Sequence, residues 1–287
     1  LENGTFFMIN FNGTLQDNNV VISNTNRGYS YGDGLFETIK AVHGKLLFFE
    51  DHYFRLMASM RILRMKIPMS FTMEFFEEEI KNTLEANGLL SKSARVKIQI
   101  DRVEGGLYLP KSDGVNYIID VNALDEDFYL LNDNKYEVDL YKDHYLSPSL
   151  LSTLKSSNKA INVIGSIYAK ENRLDNCLLI NTNKSVVEAL NGNLFLVKGQ
   201  TIKTPPLSDG CLKGILRQQL LEIIKLIPEY TLEEASISPF ELQKADELFT
   251  TNVIKGIQPI TKYRKKIFTN KVAKILLQKL NVKVRLG

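Results

Sequence analysis

Lys155 lies in Leu154-Lys155-Ser156-Ser157-Asn158, one lysine among many, and its default reading is a solvated amine. Its other reading is a partly desolvated amine able to form a Schiff base with a carbonyl. Glu188 ends the apolar run Ser185-Val186-Val187. A carboxylate is costly to bury without a partner, so it either turns to solvent or pairs with a cationic ring nitrogen. Arg55 sits among Phe54, Leu56 and Met57. Most helical arginines face solvent, but one pointing inward has the fork geometry that grips a phosphate. Gly214-Ile215-Leu216-Arg217 opens a strongly apolar helix, and unpaired amides at a helix start attract anions. Thr250-Thr251-Asn252 ends a strand with three small polar side chains able to donate to a phosphate. Arg27 to Gly34 packs three glycines into eight residues and reads, taken alone, as a tight loop feeding a hairpin. No Gly-Lys-Ser/Thr follows it, which excludes a Walker-type phosphate loop.

The elements that must position these residues are mixed. Residues 5–10, 19–23, 35–42, 45–49, 94–102 and 115–121 read as strands, with His43-Gly44 as a hairpin turn. Residues 50–63 and 70–90 have helical spacing, with Asp51 and Ser70 as candidate caps and Asn87-Gly88 as the second helix's stop. The polar, acidic stretch 122–131 is expected to link an N-terminal α+β domain, 1–121, to a C-terminal α+β domain, 132–287, that carries Lys155. In the second half, strands are expected at 136–141, 177–180, 185–188, 193–197, 247–252 and 257–263. Helices are expected at 158–174, 212–226 and 270–280. Strands and helices follow no strict alternation, which favours α+β over a doubly wound sheet.

The 287 residues hold 36 Lys plus Arg against 33 Asp plus Glu. With a net charge of only +3 and no basic block, nothing points to nucleic acid. No apolar run approaches the roughly 20 residues of a membrane span. The opening residues lack a secretory pattern, so a cytoplasmic location is expected, with Cys177 and Cys211 as reduced thiols. Histidines at 43, 52 and 144 and two lone cysteines make no metal-ligand set.

Taken together, RGYSYGDGLFETI (27–39), EDHYFRL (50–56), LKSSN (154–158), EALNGNLF (188–195), LKGILR (212–217) and LFTTNVIKGIQPI (248–260) resemble the class IV aminotransferase family. These are the fold-type IV pyridoxal 5′-phosphate enzymes: branched-chain aminotransferases, D-amino acid aminotransferases and 4-amino-4-deoxychorismate lyases. The resemblance runs from about Asn10 to about Lys265. It implies a two-domain α+β fold, like that of D-amino acid aminotransferase, with the active site between the domains, and a homodimer. It further implies that Lys155 holds the cofactor covalently, that Glu188 pairs with the pyridine nitrogen and that Arg55 grips the phosphate. Ile215 and Leu216 fall where relatives offer helix-start amides, and Asn252 falls near a further phosphate contact. The sequence departs from the family where Leu216 replaces a frequent Thr, Leu190 replaces a smaller residue and Lys159 replaces a Tyr of branched-chain enzymes. Phe36 stands where D-amino acid enzymes carry Tyr, and their Arg-x-His carboxylate trap is missing. The loop Arg102-Val103-Glu104-Gly105-Gly106-Leu107-Tyr108 looks closer to the lyases, with Arg102, Tyr108 and Phe36 as expected substrate contacts. The resemblance therefore implies conversion of 4-amino-4-deoxychorismate to 4-aminobenzoate and pyruvate, a step in folate synthesis. The first alternative is a branched-chain aminotransferase using 2-oxoglutarate. The second is a lapsed member acting as a binding protein.

Overall fold

The computed structural model describes residues 7–17 and 22–286. The chain divides into two compact units: residues 1–127 with 155–158, and residues 128–154 with 159–287.

The first unit is built on a six-stranded antiparallel sheet. Its strands are β1 (Met8–Phe11), β2 (Thr14–Asp17), β3 (Gly34–Val42), β4 (Lys45–Leu46), β5 (Ser93–Arg102) and β6 (Val115–Ala123), in the order β2-β1-β6-β5-β3-β4. The short helix α1 (Arg27–Tyr31) precedes β3, and α2 (Phe49–Ile62) and α3 (Met73–Ala86) lie between β4 and β5. Between Ala94 and Ile100 strand β5 alternates: Ala94, Val96, Ile98 and Ile100 are buried, while Arg95, Lys97 and Gln99 are half-buried. Leu35, Ile39, Leu56, Met60, Phe76 and Ile80 are likewise nearly inaccessible. The register sets Phe36 opposite Gln99, Thr38 opposite Lys97 and Gly34 opposite Asp101.

The second unit holds ten strands: β7 (Glu137–Leu146), β8 (Asn176–Asn181), β9 (Val186–Ala189), β10 (Gly192–Lys198), β11 (Thr201–Thr204), β12 (Thr231–Glu234), β13 (Glu247–Asn252), β14 (Gly256–Ile260), β15 (Lys262–Tyr263) and β16 (Lys266–Ile267). They run in the order β12-β11-β10-β9-β8-β7-β15-β16, with β13 pairing β10 and β14. Helices α4 (Ala160–Glu171), α5 (Ile215–Lys225), α6 (Pro239–Lys244) and α7 (Lys271–Leu286) complete it. Strands β8 and β9 are buried on both faces, so they read as continuous apolar runs rather than alternating ones.

Several expectations are corrected. Residues 155–158 belong with the first unit, not with a C-terminal domain that carries the lysine. The reason is backbone pairing along β3: Phe36 N donates to Lys155 O at 2.9 Å, and Ser157 N donates to Gly34 O at 2.9 Å. The division between units falls at 127/128, within the acidic stretch. Residues 27–31 form a helical turn rather than a loop, because the Asn26 side chain accepts from Tyr29 N and caps it. Helix α2 starts at Phe49 with no side-chain cap, since Phe48 turns the chain straight out of β4 in a left-handed conformation (φ 54°). Asp51 therefore sits in the first turn. Helix α3 is capped by Thr72, which accepts from Phe75 N at 3.1 Å, and not by Ser70. Ser70 is taken up in the turn before it, where Phe71 N donates to Pro68 O and Thr72 N to Ser70 O. Residues 5–6 of the strand expected at 5–10, and 19–21 of that expected at 19–23, lie outside the described residues.

Candidate active site

In the first unit the pairing with β3 fixes the backbone of Lys155, and its Nζ lies over the Phe36 ring, 4.3 Å from the centroid. Gly34 permits this approach: a Cβ there would run into the Asp101 carboxylate and the Ser157 hydroxyl. Beyond Phe36 the same strand faces carry a polar chain. Lys97 Nζ is 5.9 Å from the Phe36 ring centroid and donates to Gln99 Oε1 at 2.9 Å, and Gln99 Nε2 donates to Asp101 Oδ2 at 3.1 Å. Burial pushes the Asp101 carboxyl up.

Arg55 points inward, against the solvent-facing alternative: its side chain is 8% exposed. Its Nε donates to Glu37 Oε1 at 2.8 Å and its Nη2 to Glu37 Oε2 at 2.5 Å. Burial alone would raise the Glu37 carboxyl, but the Arg55 charge and hydrogen bonds from His52 and Arg55 outweigh it and hold its pKa at about 2. His52 donates from Nδ1 to Glu37 Oε2 at 2.7 Å. Burial pushes its imidazole down against the pull of Glu37, so it is neutral at neutral pH.

Arg102, expected as a substrate contact, is tied into its own unit. Its Nε donates to Asp33 Oδ2 at 2.9 Å, its Nη2 to Leu63 O at 2.6 Å, and its Nη1 to Arg64 O and Asp113 Oδ1, both at 3.2 Å. All three guanidinium nitrogens are thereby engaged inside the unit. Tyr108 is 90% exposed, its ring 5.8 Å from that of Tyr31. The loop around it hangs on buried Arg27, which also binds Asp33 and donates to the carbonyls of Gly105, Leu107 and Tyr108.

In the second unit Glu188, on β9, is only 9% exposed, so the solvent-facing alternative fails. Leu212 N donates to its Oε2 at 2.9 Å and Asn193 Nδ2 to the same oxygen at 3.3 Å. Asn193 also donates to Leu212 O at 2.9 Å, which ties the carboxylate to the segment leading into α5. Gly214 is required there, since a side chain would collide with Asn193. Ile215 and Leu216 follow in the first turn of α5, which no side chain caps. Amides at such a start attract anions. The Asn252 side chain is taken up in its own turn. Its Oδ1 accepts from the amides of Ile254 and Lys255, and its Nδ2 donates to Asn191 O, which closes the β13–β14 turn. The neighbouring Thr251 Oγ1 is instead buried with no hydrogen-bond partner among the described residues.

A family model described as amino-transferase class IV matches residues 34–263. The chain belongs to the class IV aminotransferases. The cofactor of this family is pyridoxal 5′-phosphate, and the residues present fit it. Within the first unit a buried guanidinium suits a dianionic phosphate. Within the second a buried carboxylate suits a ring nitrogen, and a helix start with no side-chain cap and an orphaned hydroxyl suit a phosphate. A Methanocaldococcus jannaschii protein assigned as a branched-chain-amino-acid aminotransferase is 30% identical, over 92% of this chain and 90% of the relative. An aminodeoxychorismate lyase of Vibrio harveyi is 25% identical, over 82% and 84%. The crystal structure of the branched-chain aminotransferase of Thermoproteus uzoniensis with norvaline matches at a TM-score of 0.86 and 22% identity, over 96% of this chain and 93% of that one. The fold is thus that of the fold-type IV class IV aminotransferases. Among the described residues no group of His, Cys, Asp and Glu could hold a metal ion, and no helix is long and apolar enough to cross a membrane.

Residue type and spacing did not point to Glu37, His52, Asn193, Thr251 or the Lys97–Gln99–Asp101 chain. Two of these leave a trace in the sequence. Glu37 interrupts the apolar series Leu35, Ile39, Ala41, and Lys97, Gln99 and Asp101 are the polar half of a strict alternation.

Proposed function

We propose that this chain is a pyridoxal-phosphate lyase acting on 4-amino-4-deoxychorismate, with 4-aminobenzoate and pyruvate as products. When bound, pyridoxal 5′-phosphate supplies an aldehyde and an electron-accepting ring. Lys155 is the amine that holds it and, once displaced by substrate, the base that takes the substrate proton at Nζ. Glu188 keeps a proton at the ring nitrogen, with its carboxylate oriented by Leu212 N and Asn193. Arg55 and the amides at the start of α5 hold the phosphate.

The polar chain beside Phe36 and Lys155 carries the choice of substrate. Lys97, Gln99 and Asp101 offer a cation, an amide and a carboxylate along one strand face. A half-buried polar wall suits a substrate with carboxylates and a polar ring, and it penalises an aliphatic side chain that would leave those groups unpaired. The branched-chain aminotransferase is the second reading, favoured by the 30% identical relative and by the Phe36 ring. Purified protein is given aminodeoxychorismate without any 2-oxo acid. Pyruvate release past one equivalent is expected, because elimination needs no amino-group acceptor. Transamination of leucine that stalls until 2-oxoglutarate is added, with no pyruvate from aminodeoxychorismate, would establish the second reading.

The protein is further proposed to work as a homodimer in the cytoplasm. Val163, Ile164 and Ile167 on α4 are 58%, 44% and 52% exposed, a patch suited to a second copy. Cys177 and Cys211 are unpaired thiols, in keeping with a reducing compartment.

A further inference from the structure

Glu37 occupies a core position of β3, on the face of Leu35, Ile39 and Ala41, and is 2% exposed. A carboxylate in that place is costly unless its lone pairs are filled. Arg55 takes one lone pair on each oxygen through Nε and Nη2, and His52 Nδ1 takes another on Oε2. His52 is 1% exposed, and its Nε2 has no hydrogen-bond partner among the described residues. The ring is kept buried with half its polar capacity unmet, so its polar role is its hold on Glu37. His52 and Arg55 stand three residues apart on α2, which brings both to one carboxylate. A planar guanidinium gripped along one edge has its plane and the direction of its opposite edge set as well.

We propose that Glu37, supported by His52, is a positioning residue that aims Arg55 at the phosphate of the cofactor. This rests on the reading of Arg55 as a phosphate ligand given under the proposed function. A plain counter-ion would act in the opposite sense. Its negative charge beside Arg55 weakens the attraction felt by a dianion, so removing it would tighten phosphate binding. Loss of orientation loosens it instead. The direction of the change separates the two.

The full chain, freed of cofactor, is titrated with pyridoxal 5′-phosphate and, separately, with pyridoxal. Glu37→Gln keeps the side-chain volume but turns an NH2 group toward donors, so the two-pronged grip is lost. The preference for the phosphorylated ligand is expected to fall roughly 10- to 100-fold, the scale of a hydrogen bond to a charged group, with pyridoxal affinity unchanged. His52→Asn, which keeps a donor near Nδ1, should retain most of the preference, and His52→Leu should lose part of it. In an Arg55→Ala background, Glu37→Gln should change nothing further. A preference that rises, stays constant, or falls equally for both ligands overturns the positioning role. Should Glu37→Gln not fold, the His52→Asn and His52→Leu pair decides by the same ratio, and equal ratios overturn it. A wild-type chain without preference, or an Arg55→Ala variant that keeps it, shows instead that Arg55 does not meet phosphate. The proposed cofactor placement then fails first, and this inference with it.

Discussion

Glu188 and Lys155 are asked for different things, and their surroundings differ accordingly. Glu188 is buried, and Leu212 N and Asn193 Nδ2 both donate to its Oε2, which orients the carboxylate for the proposed ring contact. Glu188→Gln should retain cofactor yet slow turnover on the order of 100-fold or more, since a neutral amide stabilises a protonated ring nitrogen poorly. Full cofactor occupancy with near-normal rate would mean that Glu188 does not face the ring. Lys155 is half-buried beside Phe36, and Lys155→Ala should abolish turnover and the borohydride-fixed label while leaving the circular dichroism spectrum intact. A label mapped to another lysine would refute that role. His52 bears on stability instead. Burial holds its imidazole below the ordinary 6.5, so the unfolded chain binds the proton first as pH falls, and stability present above about 6.5 is lost below it. Glu37, held at about 2 against an ordinary 4.5, has the same sign: its contribution is present above about 4.5 and fades toward about 2. Exposed His43, raised by Asp127, works the other way and is untouched by a change at position 52. His52→Asn should therefore shrink the fall in urea midpoint between about pH 7.5 and pH 5.5. An unchanged fall would show that His52 binds its proton equally well in the folded and unfolded chain.

At the scale of elements, the start of α5 depends on the close approach of Asn193 to Gly214. Gly214→Ala should push Asn193 off Leu212 O and Glu188, at a cost of about 1–3 kcal/mol in urea unfolding, the usual range for overpacking. Cofactor affinity should fall with it. Unchanged unfolding and affinity would mean that Asn193 has room to give. Strand β5 was legible because its two faces differ in chemistry, and β13 because Glu247 to Asn252 is a run of strand formers stopped by a turn. The helix starts were not legible. Asp51, Ser70 and Thr72 are all plausible caps, and only the path of the chain through Phe48 and Pro68 selects among starts. The turn at 27–31 was hidden for the opposite reason, since its glycines suggest a loop while Asn26 supplies a cap that makes it helical.

At the scale of the whole molecule, the exposed apolar stripe of α4 is where a second copy is expected. Ile164→Asp should shift the species seen by light scattering from dimer toward monomer, because a charge in an apolar contact stays unpaired. A wild-type chain that is monomeric at working concentration would refute the homodimer.

By itself the sequence determined the family, the α+β class, and Lys155, Arg55 and Glu188 as the residues to watch. Local order and residue type suffice for these, since motifs are strings and alternation is a property of one strand. Only the tertiary structure decided that residues 155–158 pair with β3, that Arg102 meets the carboxylates of Asp33 and Asp113 and the carbonyls of Leu63 and Arg64, that Asn252 closes its own turn, and that Glu37 and His52 meet beside Arg55. Each of these depends on which donors and acceptors meet across long stretches of chain. Buried polar groups are satisfied wherever folding brings a partner within about 3 Å, and no local pattern records where that will be.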